Sequence, residues 1–561
     1  SLFYILRSFS YCCIINVGGI REMRIKTTKS KKGTSYYIIK DYTNIDGKRT
    51  TKIYEKLGNQ DQIKERFGSE NTMQNILDYI HSLEDQPLPV YMNPNKQIEK
   101  GNRRKFNIGY LFLKNIYYSL GLHQICHQIQ KKYQFKFDLN EVLECLIYAR
   151  ILWPCSKLST YHQADKFVEK KSFEYQHVLR ALSYLAKEFD EIQKNLFVNS
   201  SKVLHRNYRV IYYDCTNFFF YTDENEFQKY GISKQHQPLP LIQMGLFMDA
   251  NGIPIALNIN PGNTNESKTM IPLEKKILEE FELDFKNIVV CTDAAMCTDD
   301  IKKFNVKDGR GFVITQSIKK LNQDLKNWAL DPEGWRIVGN LKNTYNLKEI
   351  EQDENLKNMC FNKIFYKEIE CETKSVKQTL IVTFSFKYQA WQKAVKLKQF
   401  ERANKIVEEI NAQNQKAKNK KEIQKIKITK NPNDPRRFIQ EYSTTEHGEI
   451  ADYITYTINT ALYNEEEKYN GFYGITTNLN NDTETVIKVI HGRWEIEESF
   501  RILKEEFDSN NVYLSRKDRI RSHFLICFLA LFEYRVLEKK LDNKYTVYEI
   551  IECLRDMEVL E

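Results

Sequence analysis

Three carboxylates stand out by residue type and context: Asp214, Asp293 and Glu497. Asp214 closes the run Val210-Ile211-Tyr212-Tyr213, and Asp293 follows Ile288-Val289-Val290-Cys291-Thr292. Short runs rich in β-branched and aromatic residues read as buried strands, so each aspartate is expected at a strand end. Glu497 lies in His491-Gly492-Arg493-Trp494-Glu495-Ile496-Glu497-Glu498-Ser499-Phe500-Arg501-Ile502-Leu503-Lys504, which has helical periodicity. Two strand-end aspartates and a helical glutamate can converge on two Mg2+ ions, with Mn2+ as a substitute. Such a pair activates water and stabilises the leaving oxygen in phosphodiester cleavage.

The helix that carries the glutamate sorts its residues by face. At about 100° per residue, Ile496, Phe500, Leu503 and Phe507 form an apolar stripe for the core. Arg493, Glu497 and Lys504 gather at its edge. Taken alone, Arg493 and Glu497 also fit a surface ion pair at four-residue spacing. The two aspartates favour the catalytic reading.

Composition sets the frame. The chain has 561 residues and is 42% hydrophobic, enough for about three or four domains. Lysine plus arginine total 84 against 74 acids, a net charge of +10. That excess fits a nucleic-acid partner without requiring one. The twelve cysteines form no CxxC pair, which argues against a disulfide framework or a zinc ribbon and for reduced thiols in the cytoplasm. The late apolar run from Phe524 to Phe532 is too short for a membrane span of about 20 residues. It reads as a buried core helix, within an amphipathic helix over 524–538.

Residues 1–22 are apolar but carry Arg7, and they lack a basic start and a small-residue cleavage site. The first methionine is Met23, so 1–22 are expected to be non-native upstream sequence. Residues 23–100 read as a β-hairpin region around Asp46-Gly47 and a linker broken by Pro87, Pro89 and Pro94. Residues 101–205 are helical, either a DNA-binding bundle or a plain scaffold. Residues 206–317 are α/β. Three hairpin-linked strands, a helix over about 267–282, a strand ending at Asp293 and a strand at Phe312–Thr315 give a ribonuclease-H-like order by analogy of topology.

Residues 318–468 interrupt that core, with strand-like stretches and a long polar helix over about 388–417. Lys416, Lys418, Lys420, Lys421, Lys425, Lys427 and Lys430 follow. This cluster is either a solvated face or a phosphate contact. Residues 469–540 return to the core through a strand at Gly471–Asn478, and 541–561 form a last helix.

The chain resembles the DDE transposases of the large bacterial insertion-sequence family 4, most of all its 1634-like branch. That family's third motif is Tyr, two residues, Arg, three residues, Glu, six residues, Lys. Here Arg493, Glu497 and Lys504 hold the last three positions, while Ile490 stands where the tyrosine belongs. His491 is the neighbouring side chain able to replace that hydroxyl. The first two motifs read Asp214-Cys215-Thr216 and Asp293-Ala294-Ala295. Pro261 to Thr269, Tyr469 to Asn478, Arg519 to Leu531 and Met23 to Gly58 are also similar to the branch.

The resemblance implies several things. About 200 residues separate Asp293 from Glu497, far more than a strand–helix link needs, and the family places a β-rich insertion domain there. Asp214, Asp293 and Glu497 would be catalytic and metal-binding. Arg493 and Lys504 would hold DNA phosphates. Trp494 would stack on a flipped base, unless it is a core tryptophan. The partner would be double-stranded DNA, element ends and target, met by a homodimer on paired ends in the bacterial cytoplasm, with no membrane involved. Two other readings stay open: a ribonuclease-H-like nuclease that cuts without joining, and a domesticated DNA-binding protein without catalysis.

Overall fold

The computed structural model describes residues 23–30, 33–43, 49–68, 72–84, 105–234, 237–281, 287–373, 376–416, 424–442, 454–480, 482–510 and 512–560. The expectations for 1–22, for the Asp46-Gly47 turn, for the proline linker and for Lys418, Lys420 and Lys421 lie outside these residues. The chain divides into two compact units, residues 1–205 with 499–561, and residues 206–498.

In the first unit, β1 (Arg24–Ser30), β2 (Gly33–Thr43) and β3 (Arg49–Asn59) make an antiparallel sheet. Its apolar face closes with two helices, Gln60–Phe67 and Thr72–Glu84, over Met23, Ile38, Leu57, Ile63, Ile76 and Ile80. Asn59 caps the first helix reciprocally with Gln62, which satisfies two otherwise orphaned N–H groups. β4 (Lys105–Asn107) pairs with the chain's last strand, Glu558–Leu560.

The centre of this unit is the helix Lys517–Lys540. It packs on Tyr110–Ser119, Leu139–Leu152 and Tyr175–Lys187. The sequence suggests an amphipathic helix, but Ser522 to Glu538 are all buried. Helices on several sides leave no polar face, so Arg535 pairs internally with Glu538 at 2.6 Å and donates to Ser499 at 2.8 Å. No helix among the described residues is long and apolar enough to cross a membrane. The described cysteines are all free.

The second unit is built on one mixed sheet of ten strands. Its strands are β5 (Val210–Phe219), β6 (Leu241–Asp249), β7 (Pro254–Pro261), β8 (Val289–Thr292), β9 (Gly311–Gln316), β10 (Trp335–Ile337), β11 (Asn340–Tyr345), β12 (Phe365–Thr373), β13 (Val376–Phe384) and, after a separate pair β14 (Ile439–Tyr442) and β15 (Thr455–Ile458), β16 (Phe472–Thr477). Their order is β11-β10-β12-β13-β16-β9-β8-β5-β6-β7. β5, β8 and β9 run parallel, and every other pairing is antiparallel. All nine residues of β6 are buried, as expected for a strand covered on both faces.

The interruption does not make a β-domain of its own. β10 to β13 prolong the core sheet, because β16 pairs with β9 on one side and β13 on the other. Only β14 and β15 stand apart, beside the long helix Phe386–Lys416. Trp335, fully buried, anchors the small core that these strands share with Leu380, Val382 and Phe384.

Two buried carboxyl–guanidinium contacts lie in the unit. Arg206 pairs with Asp249 at the β6–β7 turn, with the side chains 1% and 0% exposed. Glu274, on the helix Ser267–Glu280, faces Arg310 at 3.6 Å and accepts from Asn305 at 3.3 Å. Burial pushes the Glu274 carboxyl up to about 7, against the opposing pull of Arg310 and Asn305. A raised carboxyl is protonated in the folded chain while the unfolded one has ionised. Its contribution is therefore full below about 4.5 and lost as pH rises through about 7. The Glu274→Gln chain should lack this part of the pH slope. Unfolding free energies from urea titrations at pH 4.5 and 7.5 should differ by about 3 kcal/mol less in the variant than in the parent; parallel profiles would refute the assignment.

Candidate active site

Asp214 is not at a strand end. β5 continues five residues past it, paired with β6 as far as Phe219 opposite Leu241. Aspartate is a poor strand residue, so the sequence suggests a stop that the β6 ladder overrides. On its other side β5 does lose its partner there. The parallel register with β8 ends at Tyr213 opposite Thr292. Asp214 and Asp293 are the next residues of the two chains beyond that register, and the Asp293 charge acts on the Asp214 carboxyl. Asp293 begins a short helical turn, its Oδ1 accepting from the N–H groups of Ala295 at 2.9 Å and Met296 at 3.3 Å.

The third acid arrives from a helix pair. The helix Thr483–His491, capped by Asp482, buries Thr483, Val486, Ile487 and Ile490 and packs on β8 and β9. Tyr212 donates to its Val489 carbonyl at 3.0 Å. Gly492 then lets the chain pass the tyrosine, since a Cβ there would sit 2.1 Å from the Tyr212 hydroxyl. The helix Trp494–Arg501 follows and carries Glu497.

Arg493 stands between the acids. One guanidinium nitrogen lies 3.7 Å from Asp214 Oδ2 and 3.6 Å from Glu497 Oε1. Arg493 is 12% exposed and Glu497 62%. The Arg493 Nε–H is buried without an acceptor among the described residues. Burial alone would lower this guanidinium's pKa, but Asp214, Cys291, Asp293 and Tyr473 outweigh it and raise it.

A second cation, Lys234, lies 4.0 Å from Asp214 Oδ1 and 3.0 Å from Glu266 Oε1, and donates to the Cys215 carbonyl at 2.5 Å. Burial pushes the Asp214 carboxyl up to about 6; Asp293 adds to that, while Lys234, Arg493 and the Cys215 N–H oppose it. Among the described residues no three acids, histidines or cysteines are close enough to hold one ion. Asp214, Asp293 and Glu497 are neighbours around Arg493 rather than a closed ligand cage.

The remaining residues separate. Trp494 is 56% exposed and not a core residue. With Val338, Ile487, Lys488, His491 and Gly492 it lines a cavity of about 550 Å³. His491 therefore faces that cavity, and Ile490 is buried at 7%. Lys504 belongs to the first unit and sits on a single π turn, Ile502–Glu506, closed by Phe507 N–H to Ile502 O at 2.9 Å. A π turn takes more residues per revolution than an α-helix, so the regular 100° wheel fails beyond Arg501. Ile496, Phe500, Leu503 and Phe507 are nonetheless all buried. Lys416, Lys425, Lys427 and Lys430 are exposed. Lys234, Glu266 and Tyr473 were not singled out by residue type or spacing. Their only signal was that Glu266 and Tyr473 fall in two of the segments similar to the 1634-like branch.

Residues 206–532, more than half of the chain, match the family described as the transposase DDE domain. The chain is a member of the DDE transposases. The family's enzymes cut DNA and transfer its strands, the chemistry of DNA transposition by mobile elements. Among solved structures, the transposase is similar to a piggyBac transposase synaptic complex with hairpin DNA, at 8% identity over 80% of this chain and 79% of that one, with a TM-score of 0.36. It is also similar to a Mos1 transposase paired-end complex with the left transposon end, at 11% identity over 43% and 68%, with a TM-score of 0.13. No curated protein matches it.

Proposed function

We propose that this transposase binds the terminal inverted repeats of an insertion sequence of family 4, in its 1634-like branch, then nicks them and joins the freed 3′-hydroxyl to target DNA. The observation that supports this is Arg493, 3.7 Å from Asp214 and 3.6 Å from Glu497, with Asp214 and Asp293 each following the last pair of the β5–β8 register. The order β7-β6-β5-β8-β9 supports a ribonuclease-H-like core over 206–317 and 469–540, interrupted by 318–468. Residues 23–100 and 101–205 then precede it as the hairpin region and the helical DNA-binding region.

The donors suit Mg2+. They are carboxylate oxygens, and Mg2+ takes one or two of these and completes its shell with water and substrate phosphate. An acid set that does not close without DNA is compatible with that habit. Asp214, Asp293 and Glu497 would hold the ions, which supply an activated nucleophile and a stabilised leaving oxygen. Arg493, beside Asp214 and Glu497, would hold a phosphate oxygen near the cut. Trp494 offers an exposed face for a displaced base, with a cavity beside it. Lys504, and in the interruption Lys416 with Lys418, Lys420 and Lys421, would hold further phosphates. Two copies would act on paired ends.

The test is biochemical. Duplexes carrying the inverted repeats that flank the reading frame are end-labelled and incubated with the full chain and a target plasmid. With Mg2+ the expected products are a free 3′-hydroxyl at the element end and a joined species; chelator should remove both. Cutting without joining would favour the nuclease reading, and binding without cutting the domesticated one.

A further inference from the structure

Asp214 has a cation near each of its oxygens. Arg493 lies 3.7 Å from Oδ2 and Lys234 4.0 Å from Oδ1. Each cation also has an acid of its own: Glu497 at 3.6 Å for Arg493, and Glu266 at 3.0 Å for Lys234. The two differ in access. The Arg493 side chain is 12% exposed and its Nε–H is buried, whereas Lys234 is 38% exposed. Lys234 is therefore the more open of the two to an arriving phosphate.

The segment that joins β5 to β6 is pinned before it reaches Lys234. Lys229 and Leu241 exchange backbone hydrogen bonds at 3.1 and 2.9 Å. The Asn217 side-chain amide, on β5, donates to the Ile232 carbonyl at 2.6 Å. Gly231 passes so close to the residue after β7 that a Cβ there would sit 2.0 Å from the Gly262 carbonyl oxygen. The lysine thus stands on a fixed base. Its ammonium carries three hydrogens and accepts none. Two have partners, the Cys215 carbonyl at 2.5 Å and Glu266 Oε1 at 3.0 Å. Asp214, at 4.0 Å, attracts the charge from beyond hydrogen-bond range. Among the described residues the third hydrogen has no partner.

We propose that Lys234 is a further catalytic residue, which holds an oxygen of the scissile phosphate beside Asp214 with its third hydrogen and its charge. The inference rests on the reading of Asp214 as part of the transposition site. Glu266 acts through the lysine, as the anchor that keeps the ammonium next to Asp214. Neither residue belongs to the three motifs that carry the family resemblance.

The experiment compares the full-length parent with Lys234→Met, Lys234→Arg and the double variant Lys234→Met with Glu266→Gln. End-labelled inverted-repeat duplexes are the probe. Affinity is read at several salt concentrations with chelator present, single-turnover cleavage with Mg2+, and the urea midpoint for each chain. Lys234→Met should lower the slope of log affinity against log salt by about 1, the share of one phosphate contact. It should also slow cleavage about 10- to 100-fold, the scale of one hydrogen bond to a charged group. Lys234→Arg keeps the charge and should keep the parent slope and most of the rate. The double variant leaves no acid without its cation. It should unfold at the parent midpoint, cut as slowly as Lys234→Met and show the same reduced slope.

An unchanged slope in Lys234→Met overturns the proposal even if cleavage falls, because the lysine then serves the fold alone. Recovery of cleavage in the double variant overturns it too, since the loss would belong to a stranded Glu266. So does a reduced slope in Lys234→Arg. A parent chain that binds end DNA and does not cut it would fail the transposition reading itself. The slopes measured with chelator would still decide whether Lys234 meets a phosphate.

Discussion

Replacing Asp214 by asparagine should stop DNA cleavage and leave DNA binding in place. The substitution keeps the side chain's shape and removes its negative charge. Asp214 is 8% exposed, in the middle of β5, so a larger change would disturb packing and confuse the result. Neither neighbouring cation is stranded by it: Lys234 keeps Glu266, and Arg493 keeps Glu497. The variant should therefore fold. Loss of one charge-stabilising group at a reacting phosphate costs at least ~10²- to 10³-fold in rate. Affinity for end DNA should hold or rise slightly, because one repulsive charge beside the phosphate has gone. Gel-resolved cleavage and fluorescence anisotropy on the same preparation check both halves. Parent-like cutting with Mg2+ would remove Asp214 from the site.

The largest expected effect on stability lies at Arg206. Its guanidinium is enclosed beside Asp249 and donates to the carbonyls of Pro254 at 3.0 Å and Ile253 at 3.3 Å. Asp249 in turn accepts from the N–H groups of Asn251 and Ile253, both at 2.9 Å. Arg206→Ala leaves a fully buried carboxylate without its cation. Breaking such a pair costs about 3–5 kcal/mol, a large share of the roughly 5–15 kcal/mol that holds a domain folded. The urea midpoint should fall with little change in slope. Replacing both partners by apolar residues, Arg206→Met with Asp249→Leu, should recover much of the loss, since the penalty belongs to the unpaired charge. A fall of less than about 1 kcal/mol in the single variant would mean that water reaches Asp249.

What the sequence discloses here is local. The runs that become β6, β7, β8 and β9 are apolar on both faces, and their ends carry turn residues, so their existence is readable. The long helix Phe386–Lys416 is readable for the same reason: nothing in it breaks the helix. Asp214 misleads because residue preference is a weaker force than a ladder supplied by a strand far along the chain. Sheet continuity is invisible because β13 and β16 are joined by pairing across the whole length of a helix and a second strand pair. The partners of Arg493 are hidden likewise. Asp214, Cys291 and Tyr473, which act on its charge, come from three different strands, and no spacing rule connects positions 214, 291, 473 and 493. The π turn at Ile502–Glu506 changes the register of a helix whose sequence reads as ordinary.

The shared sheet also sets how the interruption can be altered. Strand β16 has β9 on one flank and β13 on the other. Cutting residues 318–468 out would not unplug a separate module. It would turn β16 into a raw edge, with a row of backbone N–H and C=O groups open to any passing strand. The interruption thus moves that end of the sheet from β16 out to the six-residue strand β11, and a shortened chain would need a new cover for β16 before its chemistry could be judged.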